Sequence, residues 1–258
     1  KLKTSQWTPS MLKMLPTAYM TGNTDWWKEM TQTAMTNQVD LSVRGGTENT
    51  NYYLSFGYTD ITGVVKGGKS NLYNGRMNFE TQVGKAVKIG LTLYGSSRIA
   101  NNKDALLKSI PRFRPDFEAY NPDGSINIVP TNTTIENPYI TYFNRNDGAG
   151  KVLNGTAFFE LKLLQGLKFR SAGTINYSNS TSDVFNKKGT QGYASSYNYR
   201  SLSNYENTTQ VWDNTLNYAA VIGKHDIVAV LGQSVEVFNA KSQSSYGEGF
   251  PDESVLIN

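Results

Sequence analysis

Apolar and polar side chains alternate with a period of two along much of this chain. Val39, Leu41 and Val43 alternate with Asp40, Ser42 and Arg44; after a break at 45–50, Tyr52, Leu54, Phe56 and Tyr58 alternate with Tyr53, Ser55, Gly57 and Thr59. This pattern predicts strands with one apolar and one polar face. It returns in Met77, Phe79, Thr81 and Val83 against Arg76, Asn78, Glu80 and Gln82, and in Val87, Ile89, Leu91 and Leu93 against Lys88, Gly90, Thr92 and Tyr94. It resumes at 153–162 and 167–177 and in a last hairpin, 208–221 with 225–239. In the final strand both parities are apolar (Ile227, Ala229 and Leu231; Val228 and Val230), so the pattern alone does not choose its apolar face.

Link lengths separate two all-β architectures. The breaks at 45–50, 84–86, 164–166 and 222–224 are short, while those at 60–70, 99–151 and 181–205 are long. A β-sandwich has no reason to alternate its links in this way, whereas a transmembrane barrel has short turns on one side and long loops on the other. Several predicted strands run to about 12 residues, enough to cross a bilayer with tilt. Tyr58, Tyr73, Tyr94, Tyr177, Trp212 and Tyr218 fall where an interfacial aromatic girdle would need them. Ahead of the first strand, 24–35 predicts a short helix starting at Thr24 or Asn23, with Trp27, Met30 and Ala34 on one face.

Several runs carry a family resemblance. Asn23-Thr24-Asp25-Trp26, Leu41-Ser42-Val43-Arg44-Gly45-Gly46-Thr47-Glu48, Asn51-Tyr52-Tyr53, Phe56-Gly57-Tyr58, Gly63-Val64-Val65-Lys66-Gly67, Arg76-Met77-Asn78-Phe79 and Val87-Lys88-Ile89-Gly90 form one cluster. Gly166-Leu167-Lys168-Phe169-Arg170, Trp212-Asp213-Asn214, Asn217-Tyr218, Lys224-His225-Asp226 and Leu231-Gly232-Gln233 form a second. In this order they resemble the barrel of SusC/RagA-type TonB-dependent outer-membrane transporters. The resemblance implies about eight strands of an antiparallel barrel of about 22 strands. Both chain ends would then be cuts through a longer protein that also carries a signal peptide and a plug. The expected division is 1–37 as an extracellular loop segment, 38–98 as strands one to four, 99–151 as a long extracellular loop and 152–180 as strands five and six. An extracellular loop at 181–205, strands seven and eight at 206–240 and the start of a loop at 241–258 complete it. The implied function is import of nutrients, glycans favoured over peptides, across the bacterial outer membrane. The implied partners are a SusD-like surface lipoprotein and TonB with ExbB and ExbD.

The polar parity places Arg44, Arg76, Asn78, Glu80, Lys88, Lys168 and Arg170 toward the lumen. The apolar parity places Val39, Leu41, Val43, Leu54, Phe56, Met77, Phe79, Ile89, Leu91 and Phe169 toward lipid. Tyr139, Tyr142 and Phe143 in one long loop and Tyr193, Tyr197 and Tyr199 in the next, set among Ser, Asn and Gln, suit stacking on sugar rings or peptides. The alternative use of the same tyrosines is packing of the loops on one another.

Composition narrows the remaining classes. With 23 Gly and 16 Tyr against 8 Pro among 258 residues, the chain reads as turn-rich β structure. No run reaches the roughly 18 apolar residues of a membrane helix, which leaves a barrel untouched. The net charge of +4 is dispersed, so nucleic acid is not an expected partner. No cysteine is present to supply a thiolate or a cysteine metal site. The one histidine, His225, adjoins a predicted turn without a Gly-x-Ser-x-Gly elbow. Asp116 with Glu118, or Asp252 with Glu253, would make a glycosidase pair only across a cleft. Asp123 in Asn-Pro-Asp-Gly lacks the spaced ligands of a calcium loop. No enzymatic role and no cofactor is expected. A secreted or surface β-sandwich that binds polysaccharide is the second reading; it requires the apolar faces to pack on each other.

Overall fold

The computed structural model describes residues 22–103, 105–127, 138–187 and 197–251. A short helix α1 (Trp26–Met30) precedes β1 (Met35–Gly46), β2 (Thr50–Thr62), β3 (Lys69–Val83) and β4 (Val87–Asn101). The following loop holds α2 (Ala105–Ser109), a 3-10 turn (Ile110–Arg112) and α3 (Pro138–Tyr142). Then come β5 (Arg145–Leu164), β6 (Leu167–Asn186), β7 (Tyr199–Ile222) and β8 (His225–Glu248). The eight strands make one antiparallel sheet in sequence order, each pairing with the next. No second layer covers either face among the described residues: Leu41 is 66% exposed and Leu231 72%. A sandwich buries such side chains between two sheets, so that reading does not hold.

Register sorts the side chains because directly opposed residues share a face. Leu41 opposes Phe56, Leu54 opposes Met77, Phe79 opposes Leu91, Ile89 opposes Phe159 and Leu161 opposes Phe169. One apolar face therefore runs from β1 to β6, with Val39, Val43 and Tyr52 on it. Pairing also decides what sequence left open in β8. Leu216 opposes Leu231 and Trp212 opposes Val235, which places Ile227, Ala229, Leu231, Val235 and Val237 on the apolar face and Val228 and Val230 on the other.

The strands run further than side-chain alternation indicated. β1 begins at Met35, β5 begins inside the expected long loop, and Tyr199 opens β7 where a loop was expected. Backbone pairing continues after both faces have become polar, and period-two alternation carries no signal there. β7 and β8 reach 24 residues each, roughly 80 Å of strand at about 3.4 Å per residue.

The turns are tight at the opposite end. Gly166 lies between Leu164 and Leu167 with φ +79, and a Cβ there would sit 2.1 Å from the Ala219 carbonyl oxygen. That position requires glycine on both grounds. The helix differs from expectation as well. Asp25 caps it by accepting a 3.0 Å hydrogen bond from the Lys28 amide, and it ends after five residues, so Trp26 and Met30 face inward and Trp27 is 51% exposed. Tyr94 belongs to the polar face, opposite Arg76 and Asn154, and Trp212 stands within the apolar face rather than at its edge.

Candidate functional site

Two surfaces carry chemistry: the polar face of the sheet and the platform of loops at its long-loop end. On the polar face the register gathers Arg44, Arg76, Asn78, Glu80, Lys88, Lys168 and Arg170. Lys88 Nζ lies 2.8 Å from Glu80 and Lys168 Nζ 3.5 Å from Glu160; both pairs are substantially exposed, so each contributes little to stability. Arg170 is fixed by stacking. Its guanidinium carbon lies 3.7 Å from the centroid of the Phe158 ring, and that ring lies across Gly90, where a Cβ would approach it to 2.2 Å. Glycine at 90 thus leaves room for the aromatic ring, and the ring orients the cation while its N–H edges stay available. Arg76 lies over Tyr94 in the same way at 5.6 Å. The polar face carries mixed charge with two oriented guanidinium groups.

The apolar face lies opposite and ends in a polar, aromatic level toward the long loops. Tyr58 packs against Tyr73 at 4.9 Å and its hydroxyl accepts from Asn71, which also bonds Asp60. Tyr177 donates to Glu206 at 3.2 Å. From Val83 to Tyr73 in β3, and from Leu167 to Tyr177 in β6, the face is ten residues deep. Ten rises of about 3.4 Å on strands tilted about 40° give roughly 26 Å, close to the apolar height of about 25 Å that a bilayer requires. Beyond this level the same face turns ionic, with Asp183 held by both nitrogens of Arg200 at 2.8 and 2.7 Å and by Arg145 at 3.2 Å.

The buried apolar cluster of the described residues lies in the loops. Trp26, Met30, Val65, Leu106, Ile110, Phe113, Phe117, Ala119 and Tyr139 pack together. Trp26 meets Phe113 edge-on at 5.0 Å and donates its indole N–H to the Arg114 carbonyl at 2.9 Å. Glu29 accepts hydrogen bonds from the hydroxyls of Tyr120 and Tyr139. Burial raises its pKa, but those two bonds and nearby Lys66 outweigh it and hold the carboxyl below its usual range. The Tyr139 hydroxyl is pushed well above its ordinary range by burial and by its bond to Glu29. Lys103 closes the neck of the long loop by donating to the carbonyls of Tyr142 and Asn144 at 2.7 and 2.6 Å, and burial lowers its pKa. The segments 24–32, 63–68, 105–127 and 138–144 are thereby joined, the second through Lys66 N–H to Met30 and Gln32 N–H to Val64.

The loop aromatics divide accordingly. Tyr139, 6% exposed with its hydroxyl occupied, is a packing residue and is closed to a ligand. Tyr142 is partly buried beneath Lys103, whereas Phe143 and Tyr197 are exposed. Tyr199 packs on Tyr246 at 5.6 Å, and Tyr193 lies outside the described residues. The other candidates have structural uses. Asp116 pairs with Arg114, Asp123 accepts from the amide and hydroxyl of Ser125, and His225 is exposed at the first position of β8. Asp252 and Glu253 lie outside the described residues. Among the described residues no cluster of three or more His, Cys, Asp or Glu is placed to hold a metal.

Sequence reasoning missed the Glu29–Tyr120–Tyr139 hub, whose members are 91 and 110 residues apart. Contacts at that separation leave no periodic trace. Trp26 carried a readable signal, because Asp25 at a helix N-cap puts it at the first helical position.

No family model matches the chain. TonB-dependent receptor P3 of Formosa agariphila is 25% identical over 228 residues, 83% of this chain and 23% of the relative. TonB-dependent receptor SusC of Bacteroides thetaiotaomicron is 42% identical over 52 residues, 20% of this chain and 5% of the relative. Among solved structures, the RagAB peptide transporter matches with a TM-score of 0.73 at 20% identity, over 97% of this chain and 30% of that one. The chain thus spans about a quarter of the length of the curated relatives that it matches over most of its own.

Proposed function

We propose, from the premise that this chain is a segment of a SusC/RagA-like TonB-dependent transporter, that it forms part of the wall of a nutrient importer in a bacterial outer membrane. The apolar face meets hydrocarbon and the polar face lines the bore. The short turns at 46–50, 83–87, 164–167 and 222–225 lie in the periplasm, and the loop platform lies outside the cell. The observation that carries this reading is the apolar face that runs from β1 to β6, ten residues deep in β3 and β6 and closed by hydrogen-bonded tyrosines on the long-loop side. A wall of this kind separates lipid from a wet channel and performs no chemistry of its own.

The whole protein takes up nutrients too large for porins, glycans in preference to peptides, with energy delivered by TonB, ExbB and ExbD. A SusD-like lipoprotein closes over the exposed side of the loop platform, where Trp27, Tyr120 and Phe143 are accessible. The order of loops and strands read from the sequence, with the strand ends moved to the observed bounds, is part of this proposal. Deleting the gene is expected to abolish growth on one glycan or peptide source, and deleting tonB is expected to abolish it equally. Pull-down of the tagged full-length protein from outer membranes should bring a lipoprotein with it. Unchanged uptake without TonB would overturn the importer assignment.

A further inference from the structure

The cations of the polar face differ in what engages them. Lys88 and Lys168 face carboxylates, and Arg76 and Arg170 lie over aromatic rings. Arg98, further along β4 toward the long loops, has neither. Its Nε donates to Ser70 Oγ at 3.0 Å, and that serine is 8% exposed. No carboxylate pairs with Arg98 among the described residues. Across the sheet it opposes Leu72 and Gly150, and Gly150 has no side chain to cover it. One of five donors is thus used to orient the group, and the Nη edge that takes a carboxylate through two parallel bonds is left open.

Arg98 and Ser70 line a cavity of about 270 Å³ between the sheet and the 63–68 link. Cavities for drug-sized ligands run from about 300 Å³ upward, so this one suits a single ring. Ile61, Val64 and Leu107, all exposed, give it an aliphatic side. Lys103, whose ammonium is held by the Tyr142 and Asn144 carbonyls, adds positive charge, and no acidic residue lines the cavity among the described residues. Beside it the polar face becomes neutral. From Asn146 to Phe158 in β5, Ala172 to Ser182 in β6 and Ser201 to Val211 in β7 that face carries no charge. Asn154, Asn176, Ser178, Asn207 and Thr209 stand there, with Ser178 donating to Asn207 at 3.1 Å. Amides and hydroxyls on adjacent strands match the donors and acceptors of sugar hydroxyls. A peptide is held through its main chain at a free strand edge, and β3, β4 and β5 are each paired on both sides.

We infer that Arg98 and its cavity bind the carboxylate of an acidic sugar, a uronic acid unit of an imported glycan whose neutral units lie along β5 to β7. The inference rests on the importer reading and narrows its cargo. The guanidinium takes the carboxylate in two parallel hydrogen bonds, and Ser70 fixes the angle at which it does so. The C–H face of the ring packs on Ile61 and Leu107, which removes apolar surface from water. A neutral sugar has no anion for Arg98 and gains only the second of these contacts.

The test uses the purified full-length transporter and ligand-observed NMR, with glucuronate, glucose, inorganic sulfate and acetyl-leucine as probes. Glucuronate is expected to bind, and Arg98→Gln to weaken that binding at least about tenfold, the loss of a charge-assisted hydrogen bond. Val64→Asp, which adds a carboxylate to the lining from an exposed position, is expected to weaken it as well, so the loss does not depend on the folding of one variant. Glucose, sulfate and acetyl-leucine are each expected to bind more weakly than glucuronate. Absent glucuronate binding, binding indifferent to either substitution, or any of the other three probes held as tightly would overturn the inference; acetyl-leucine would do so in favour of a peptide terminus. Binding is read at equilibrium on the isolated protein and does not involve TonB. Uptake that continues without TonB would contradict the importer reading, whereas TonB-dependent growth by a protein that ignores glucuronate contradicts the inference alone.

Discussion

Phe79→Arg in the full-length transporter is expected to destabilise the inserted barrel by roughly 2–4 kcal/mol, and Asn78→Arg is expected to be tolerated. Phe79 opposes Tyr52 and Leu91 near the middle of the apolar face, so in the proposed wall a guanidinium there would be left in hydrocarbon. Asn78 opposes Tyr53 and Thr92 on the polar face, where in the proposed wall water would solvate the charge. The two positions share one strand, one depth and one backbone environment; they differ in which side of the sheet they occupy. Chemical unfolding of both variants from lipid vesicles measures the difference. Equal losses would show that the faces are assigned wrongly.

Trp26→Ala is expected to cost about 3–5 kcal/mol, the range for emptying a large aromatic site in a packed cluster. The loss falls on the loop platform, because the indole packs on Phe113 and Tyr139 and its N–H satisfies the Arg114 carbonyl. Hydrogen exchange across 105–113 should rise sharply while the amides of β3 to β6 keep their protection. Trp27→Ala, on the exposed side of the same helix, should change little, within about 0.5 kcal/mol. Equal effects of the two substitutions would contradict the inward placement of Trp26.

The sheet was legible in the sequence wherever one face was apolar and the other polar. Leu54, Phe56, Met77, Phe79, Ile89 and Leu91 declare their strands by alternation alone, and the short turns between them indicate antiparallel neighbours. Legibility failed where the physical cause lay outside that alternation. The upper part of β5 and the start of β7 are held by backbone pairing to β6 where the side chains are polar; Asn179 of β6 and Asn204 of β7 also bond each other through their side chains at 2.8 Å. β8 is apolar on both parities, so only its pairing with β7 could choose a face for Leu231 and Val230. Tyr94 lies near a predicted strand end, where a girdle aromatic would stand, but it shares the polar parity of Thr92 and lies beneath Arg76. Among the loop aromatics, residue type suited binding and packing equally. The contact with Glu29 decided for packing at Tyr139, and nothing within the loop sequence itself points to Glu29.

The division of the two faces between lipid and water is tested most directly by moving a single spin label through positions 76 to 83 of the full-length transporter in lipid vesicles. Collision with oxygen, which concentrates in hydrocarbon, is compared with collision with a water-soluble nickel complex. The expected record has a strict period of two: Met77, Phe79 and Thr81 accessible to oxygen, Arg76, Asn78, Glu80 and Gln82 oxygen-poor. Uniform values, or oxygen access in the opposite phase, would contradict a lipid-facing wall.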